Sequence, residues 1–374
     1  MVKVTVLGAG NAGFSIAFHL AQMKHNVALY EHPDFKQAIE PIQKADNVVI
    51  AAAEEAGFKA VVAGEARLDL VTSEIKDAIE FGEVVMIVVP AFGQVPIFDL
   101  ALPYMKPNQI LISMPGNFAA LQYAKLISDK GLAAEKQLYF VDTDSIPYAC
   151  RKLSGNKTFI SDIKKQLNTG VYPSEATDTV FAIIEPLFPL KLIKSSNVIE
   201  AAFCNMNMML HPPPTIYNAG WIEATQGKYS FYGQSCSPSV CRVVEAIDRE
   251  RQNVAKALGF KTLPAVEIYK GWYGKTGSDN IYDILHNDEG HAYFPGPPSL
   301  DNRYISEDMC YILIPIVRLL AARYQIPTPV CDAMILSAET LVGHRLEVKR
   351  KFDHVVKDGE TVEQMHQRLA KWMT

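Results

Sequence analysis

Residues 2–32, VKVTVLGAGNAGFSIAFHLAQMKHNVALYEH, decide the fold of this chain. Val2, Val4 and Val6 alternate up to Leu7 in the pattern of a short strand, and the turn Gly8-Ala9-Gly10-Asn11-Ala12-Gly13 follows at once. An apolar-faced helical stretch comes next, then a second apolar run from Val27 to Tyr30, closed by Glu31. Strand, glycine turn, helix, strand and acid in this order make up a dinucleotide-binding unit. Gly8 permits the tight turn, Gly10 lets a pyrophosphate approach the backbone, and Gly13 lets the helix pack closely on the strand. The helix start offers unpaired N–H groups and the positive end of its dipole to phosphates, so Asn11 and Ala12 join the glycines as candidate cofactor contacts.

Glu31 lies about 20 residues past the turn, where a carboxylate accepts hydrogen bonds from the ribose hydroxyls. A 2′-phosphate would meet like-charge repulsion there, so NAD is expected over NADP. The competing reading is a solvated acid at a strand end, and His32 and Lys36 are the nearby groups that would admit a phosphate.

Beyond this unit the first half keeps alternating strand and helix. Short β-like runs, NVVIAAA and KAVVAG, fall within residues 45–72. EVVMIVVPA reads as a strand over 83–91 that Pro90 ends, and QILISMPGN as one over 109–117 with a Pro115-Gly116 turn. KQLYFVDTDS at 136–145 is another, and 157–175 reads as shorter strands before a helix in DTVFAIIEPLF. Runs apolar on both faces belong in a parallel sheet covered by helices. Ligands of such a sheet bind outside the carboxyl ends of its strands. That edge carries Gly10, Ala91, Asn117, Asp142 and Thr143, and Pro90 and Ala91 are grouped with the glycine turn and Glu31 as cofactor contacts.

Around residue 190 the pattern changes to long amphipathic helices, among them NVIEAAFCNMNMML, SPSVCRVVEAIDRERQNVAKALG and SEDMCYILIPIVRLLAARYQ. The chain is therefore expected to be α/β followed by all-α. A Rossmann-type doubly wound sheet would occupy residues 1–190, and a helical substrate and catalytic domain residues 191–374.

Bulk composition excludes several classes. With 374 residues, 49 % hydrophobic and 21 % charged, the chain matches an ordinary soluble two-domain protein. A net charge of −5 gives no reason to expect nucleic acid or an anionic membrane as partner. No leader is read before the first strand and no apolar run reaches bilayer length, so a cytoplasmic location is expected. Cys150, Cys204, Cys236, Cys241, Cys310 and Cys331 lack metal or disulfide spacing, which fits reduced thiols. His286 and His291 flank the loop HNDEGH without the helical spacing of a metal pair, and no metal is expected.

Two clusters in the second half could carry chemistry. Asn205, Asn207 and His211 precede Pro212-Pro213-Pro214-Thr215. Asn207 and His211, four apart, would share one face of a helix that the prolines terminate. Such a set suits a general acid/base at a cleft, or a satisfied structural histidine. GPPSLDNRYISEDM then holds Arg303 and Asp308 near the start of a long helix. Asp308 is either a first-turn acid or a partner fixing the tautomer of His211, and Arg303 a surface charge or a planar fork for a carboxylate. Spacing does not decide between these.

Taken together, VLGAGNAG, VVMIVVPAF, SMPGN, DTDSIPYACR, NMNMMLHPPPTIYNAG and DNRYISEDM resemble the opine dehydrogenases, the octopine/nopaline dehydrogenase family. The resemblance runs in order over most of the chain, and HPxPT and RYxxED are its most specific parts. It implies a catalytic pair at His211 and Asp308, with Arg303 contacting a substrate carboxylate. It also implies substrate contacts at Asn117, Asp142, Thr143 and Cys150; Asn207, on the helix face of His211, is a further candidate substrate contact. The Pro115-Gly116 turn departs from the expected small or glycine-rich continuation, reading Asn117-Phe118-Ala119-Ala120.

The implied reaction is NADH-dependent condensation of an amino acid amine with a 2-oxo acid, commonly pyruvate, followed by reduction of the imine. Partners would be small molecules, with a homodimer left open. A dehydrogenase acting on one 2-oxo or hydroxy acid is the nearest rival, and a nucleotide-sensing protein without turnover the alternative from another class.

Overall fold

The computed structural model describes residues 1–274, 278–286, 294–350, 355, 357 and 359–372. In chain order its strands are β1 (Lys3–Leu7), β2 (Asn26–Tyr30), β3 (Val48–Ala51), β4 (Glu54–Glu55), β5 (Phe58–Lys59), β6 (Gly64–Arg67), β7 (Leu70–Thr72), β8 (Val84–Ile87), β9 (Ile110–Ser113), β10 (Tyr139–Thr143), β11 (Tyr148–Lys152), β12 (Lys157–Ile163), β13 (Gln166–Tyr172) and β14 (Lys191–Lys194). The main sheet has eight of them in the order β14-β13-β10-β9-β8-β1-β2-β7. β10 and β13 pair antiparallel, and every other pair of neighbours runs parallel.

Local sequence explains this order. The VVMI of β8 and ILIS of β9 are buried at every position, as central parallel strands must be. The chain moves outward from β1 through β2 on one side, and through β8 and β9 on the other. β1 and β8 thus bracket the switch point where an open α/β sheet takes its ligand, with the glycine turn after β1 and Pro90 after β8.

A second sheet, β11-β12-β3-β6, lies in the same unit, and β4 and β5 form a separate hairpin. Here the structure departs from expectation. KAVVAG forms no continuous strand: β5 takes its lysine, and Val62 makes only an isolated bridge to Ile160. The stretch 157–175 holds two seven-residue strands in different sheets, β12 beside β3 and β13 beside β10. Long-range pairing, invisible in local periodicity, decides both.

Two compact units emerge, one of residues 1–198 with 366–372 and one of residues 199–365. The expected boundary at 190 is therefore too early, because Lys191–Lys194 forms β14 at the sheet edge, paired to β13. The expected second domain also loses its C-terminal end. Trp372 Nε1 donates to Leu138 O at 3.0 Å, and Glu175 N–H donates to Ala370 O at 3.2 Å.

The second unit is helical around Pro238–Ala257, which Ser237 caps by accepting from Val240 N–H at 3.3 Å, with Pro238 in its first turn. Arg251 on this helix is fully buried. Its guanidinium donates to Asp248 Oδ1 at 2.8 and 2.7 Å and to Phe203 O at 2.7 Å, so the buried charge is paired and its donors are used.

Candidate active site

In the nucleotide-binding unit the candidate cofactor site is the glycine turn. Gly8 takes φ +106°, a conformation side chains rarely adopt, and a Cβ there would lie 2.7 Å from Val88 O. A Cβ on Gly13 would sit 1.9 Å from Gly8 O, so only glycine lets the helix Asn11–Gln22 close onto the turn. Gly10 differs: a Cβ there meets nothing within 4 Å, and Gly10 and Asn11 are exposed. The helix has no side-chain cap at its start, so the N–H groups around Asn11 and Ala12 are left for a ligand. An open, uncapped helix start over a closed glycine turn fits a pyrophosphate.

Glu31 ends β2 beside this turn. One carboxylate oxygen accepts from Ala9 N–H at 2.8 Å and the other from His32 N–H at 2.9 Å, which fixes the acid and leaves lone pairs on both oxygens for hydroxyl donors. Pro90 caps the helix Ala91–Ala101 straight after the Val88-Val89 segment that packs on Gly8. The cofactor residues read from the sequence thus gather on one edge of the first unit. A residue missed there is Lys152. Its ammonium donates to the carbonyls of Ala38 and of Ala9 (3.3 Å) and lies 4.8 Å from the centre of the Phe14 ring. Burial lowers its pKa and the charge of Glu31 raises it. A lone lysine on an irregular strand gives no pattern to read.

The substrate residues expected in this unit do not all meet. Gly116 N–H donates to Thr143 O at 3.0 Å, and a Cβ on Gly116 would lie 2.1 Å from Asp142 Cγ, so the Pro115-Gly116 turn sits directly on the end of β10. Both Asp142 oxygens lie 3.3 Å from Ala120 N, and this buried acid caps the helix Ala119–Asp129. Thr143 is also turned inward, its Oγ1 donating to Ser145 O at 2.7 Å. Asn117 and Phe118 hold φ of 51° and 68°, the left-handed conformations that explain why a glycine-rich continuation is expected after this turn. Cys150 lies elsewhere, on β11, with Sγ 3.5 Å from Asn11 O. Burial pushes its thiol up to about 11, against the opposing Ser15 hydrogen bond, so it stays protonated at neutral pH.

The helical unit carries a candidate site of its own. The expected single helix through Asn207 and His211 is broken into Val198–Phe203, Asn207–Leu210 and Pro212–Ile216. Asn205 Oδ1 accepts from Asn207 N–H at 2.8 Å and starts a new turn. The three prolines lack N–H groups, a loss tolerated only in a first helical turn, so they begin a helix rather than end one. His211 stands at the junction, where its backbone N–H donates to Asn207 O at 3.1 Å. Its carbonyl accepts from Thr215 Oγ1 at 2.8 Å, which gives the threonine of HPxPT a structural reason.

Asn302 caps the short helix Arg303–Ser306 by accepting from Tyr304 N–H at 2.9 Å. The chain then enters π-helical turns over Asp308–Leu319, a geometry common at functional sites. Asp308, 1 % exposed, lies 2.7 Å from His211 Nδ1 through Oδ2. A carboxylate so buried requires the imidazole as partner, and this assigns the Nδ1–H tautomer when the ring is neutral. The Tyr304 ring lies 4.2 Å from the imidazole, centre to centre. Arg303 is 64 % exposed at its side chain, with Nε 3.5 Å from Glu307 Oε2, so the guanidinium fork is accessible.

Sequence reasoning missed Tyr232, whose hydroxyl lies 2.9 Å from His211 Nε2. Its residue type and spacing gave no signal, because a buried aromatic in the loop SFYGQS reads as core. Among the described residues no group of three or more His, Cys, Asp or Glu side chains is placed to hold a metal. His286 Nδ1 is 2.9 Å from Tyr282 O, and His291 lies outside the described residues. Also among the described residues, no helix is long and apolar enough to cross a membrane.

Known proteins match both units. Residues 194–342 match the family model described as NAD/NADP octopine/nopaline dehydrogenase, alpha-helical domain. Residues 3–134 match the NAD-dependent glycerol-3-phosphate dehydrogenase N-terminus. An opine dehydrogenase of Arthrobacter sp. (strain 1C) is 28 % identical over 96 % of this chain and 94 % of its own length. The octopine dehydrogenase of Pecten maximus is 22 % identical over 91 % of this chain and 90 % of its own. A solved octopine dehydrogenase in complex with NADH and agmatine has the same fold, with a TM-score of 0.71 at 20 % identity, covering 99 % of this chain and 98 % of that one. These matches, over a nucleotide-binding unit and a helical unit, indicate an NAD-dependent oxidoreductase acting on CH–NH bonds. Its helical unit matches the octopine/nopaline dehydrogenase family, and the chain resembles opine dehydrogenases along nearly its whole length.

Proposed function

We propose that this enzyme condenses the amine of an amino acid with a 2-oxo acid, pyruvate in the first instance, and reduces the product to a secondary amine dicarboxylate. The observation that carries this is the buried His211–Asp308 pair at 2.7 Å beside the accessible fork of Arg303. Gly8, Gly10, Asn11, Ala12, Gly13, Glu31, Pro90 and Ala91 would hold NADH, which supplies the hydride.

The protein's own work is then orientation and proton handling. Arg303 binds a substrate carboxylate bidentately. His211 takes the proton released as the amine adds to the carbonyl and returns one as water leaves, and Asp308 stabilises the imidazolium between these events. Asn117, Asp142 and Thr143 shape the substrate side of the nucleotide-binding unit, Asp142 and Thr143 by bracing the turn that carries Asn117. Asn207 supports His211 through its backbone carbonyl, and Cys150 acts through Asn11. Cys150, Cys236, Cys241, Cys310 and Cys331 are free thiols, in keeping with a reducing cytoplasm.

A panel of amino acids tested with pyruvate, followed by NADH absorbance, examines the proposal. NADH loss should require both substrates. Equal rates with the oxo acid alone would return the chain to the simple dehydrogenases.

A further inference from the structure

Both ring nitrogens of His211 are engaged. Nδ1 faces Asp308 Oδ2 at 2.7 Å and Nε2 faces the Tyr232 hydroxyl at 2.9 Å. The carboxylate can only accept, so Nδ1 keeps its proton. Nε2 is then the nitrogen that changes protonation, and its hydrogen-bond partner is a phenol. We propose that Tyr232 is the third member of a relay, Asp308–His211–Tyr232, and that His211 exchanges its proton with substrate through the Tyr232 oxygen.

A hydroxyl suits the position because it reverses roles without changing charge. It donates to Nε2 of the neutral ring and accepts from Nε2–H of the imidazolium. Burial, with the neighbouring Tyr304, Cys236, Tyr273 and Asp308, pushes the phenol well above its ordinary range. Tyr232 therefore stays neutral and passes a proton on only as it receives another.

In the dehydration step the carbinolamine C–O bond breaks and the nitrogen lone pair forms the C=N bond. The leaving oxygen takes the Tyr232 proton and departs as water, while Tyr232 takes the Nε2 proton. An imidazolium and a neutral carbinolamine thereby become a neutral imidazole, an iminium and water, and the phenol is regenerated.

The fold holds the tyrosine for this task. Asn218 Nδ2 donates to Pro214 O at 2.8 Å and to Ser235 O at 3.0 Å, tying the helix after His211 to the loop that carries Tyr232. Ser235 Oγ closes that loop on Phe231 O, and Phe231 N–H donates to Phe294 O at 2.8 Å. The ring of Phe231 also lies edge-on to His211, with centres 6.1 Å apart.

The relay rests on the proposed acid/base role of His211, and two measurements on the full-length enzyme separate the two ideas. The first is kcat for NADH oxidation in mixtures of H2O and D2O. Tyr232→Phe keeps the ring and removes the hydroxyl. It should lower kcat about 10²-fold and leave NADH affinity unchanged, while the curved proton inventory of the wild type becomes linear. Unchanged kcat and an unchanged inventory in Tyr232→Phe would overturn the relay, whichever substrates the wild type proves to use.

The second measurement needs no turnover. The 15N resonance of His211 Nε2 should shift in Tyr232→Phe at a pH where the ring is neutral, with Nδ1–H retained. A resonance that does not move would overturn the relay even if His211→Ala abolishes activity.

Discussion

The two units offer their chemistry by opposite means. In the nucleotide-binding unit the chemistry is offered by backbone: the glycine turn, an uncapped helix start and one acid, all within residues 2–32. In the helical unit it is offered by side chains from separate segments, around His211, Tyr232 and Arg303–Asp308, with His211, Tyr232 and Asp308 buried and Arg303 exposed. Binding a common cofactor asks only for a shape that contiguous backbone can make. Moving protons asks for titratable groups fixed against one another in a dry place, which no single segment supplies.

The contrast is tested most severely at the glycines. Gly13→Ala should cost the first unit its fold at the turn, because the added carbon would lie 1.9 Å from a backbone oxygen that has nowhere to go. Gly10→Val, where the space is open, should leave thermal stability near wild type and abolish NADH binding measured by calorimetry. If the two variants behaved alike, the division between closed turn and open cradle would be lost.

On the other side, His211→Ala and Asp308→Ala should each lower kcat by about 10²–10⁴-fold with NADH affinity unchanged. The double variant should be little worse than either, since the pair acts as a unit. Independent, multiplying losses would show that the two residues do not work together.

Asp142→Ala sharpens the comparison from between these extremes. It removes a helix cap and the acceptor for a buried N–H, and should cost about 1 kcal/mol of stability, read as a lowered denaturation midpoint. An unchanged midpoint with lost turnover would move Asp142 from bracing to chemistry. An effect of similar size is expected at Glu31. Glu31→Ser removes the like-charge repulsion and should shift the ratio of specificity constants toward NADPH by about tenfold. A wild type already preferring NADPH would contradict the role given to this carboxylate.

The same contrast explains what was legible in the sequence. The glycine turn could be read residue by residue because its spacing is its geometry, and the structure puts Gly8, Gly13 and Glu31 where the pattern implies. His211 and Asp308 lie 97 residues apart, so their hydrogen bond had no local signature, and the family motifs alone pointed to it. The prolines after His211 were misread because proline can open a helix as well as close one, and three together decide for the first turn. Tyr232 and Lys152 were missed because neither residue type says where its polar end goes. The boundary at 190 erred because the KLIK of β14 is too short to announce itself without the partner strand β13.

The proposed reaction joins two carbon skeletons through nitrogen. Mass spectrometry of the product from 13C-labelled pyruvate, an unlabelled amino acid and NADH tests it most directly. The expected product is a secondary amine carrying all the labelled carbons together with the amino acid skeleton, formed in step with NADH loss. A labelled hydroxy acid as the only product, with the amino acid unchanged, would contradict it.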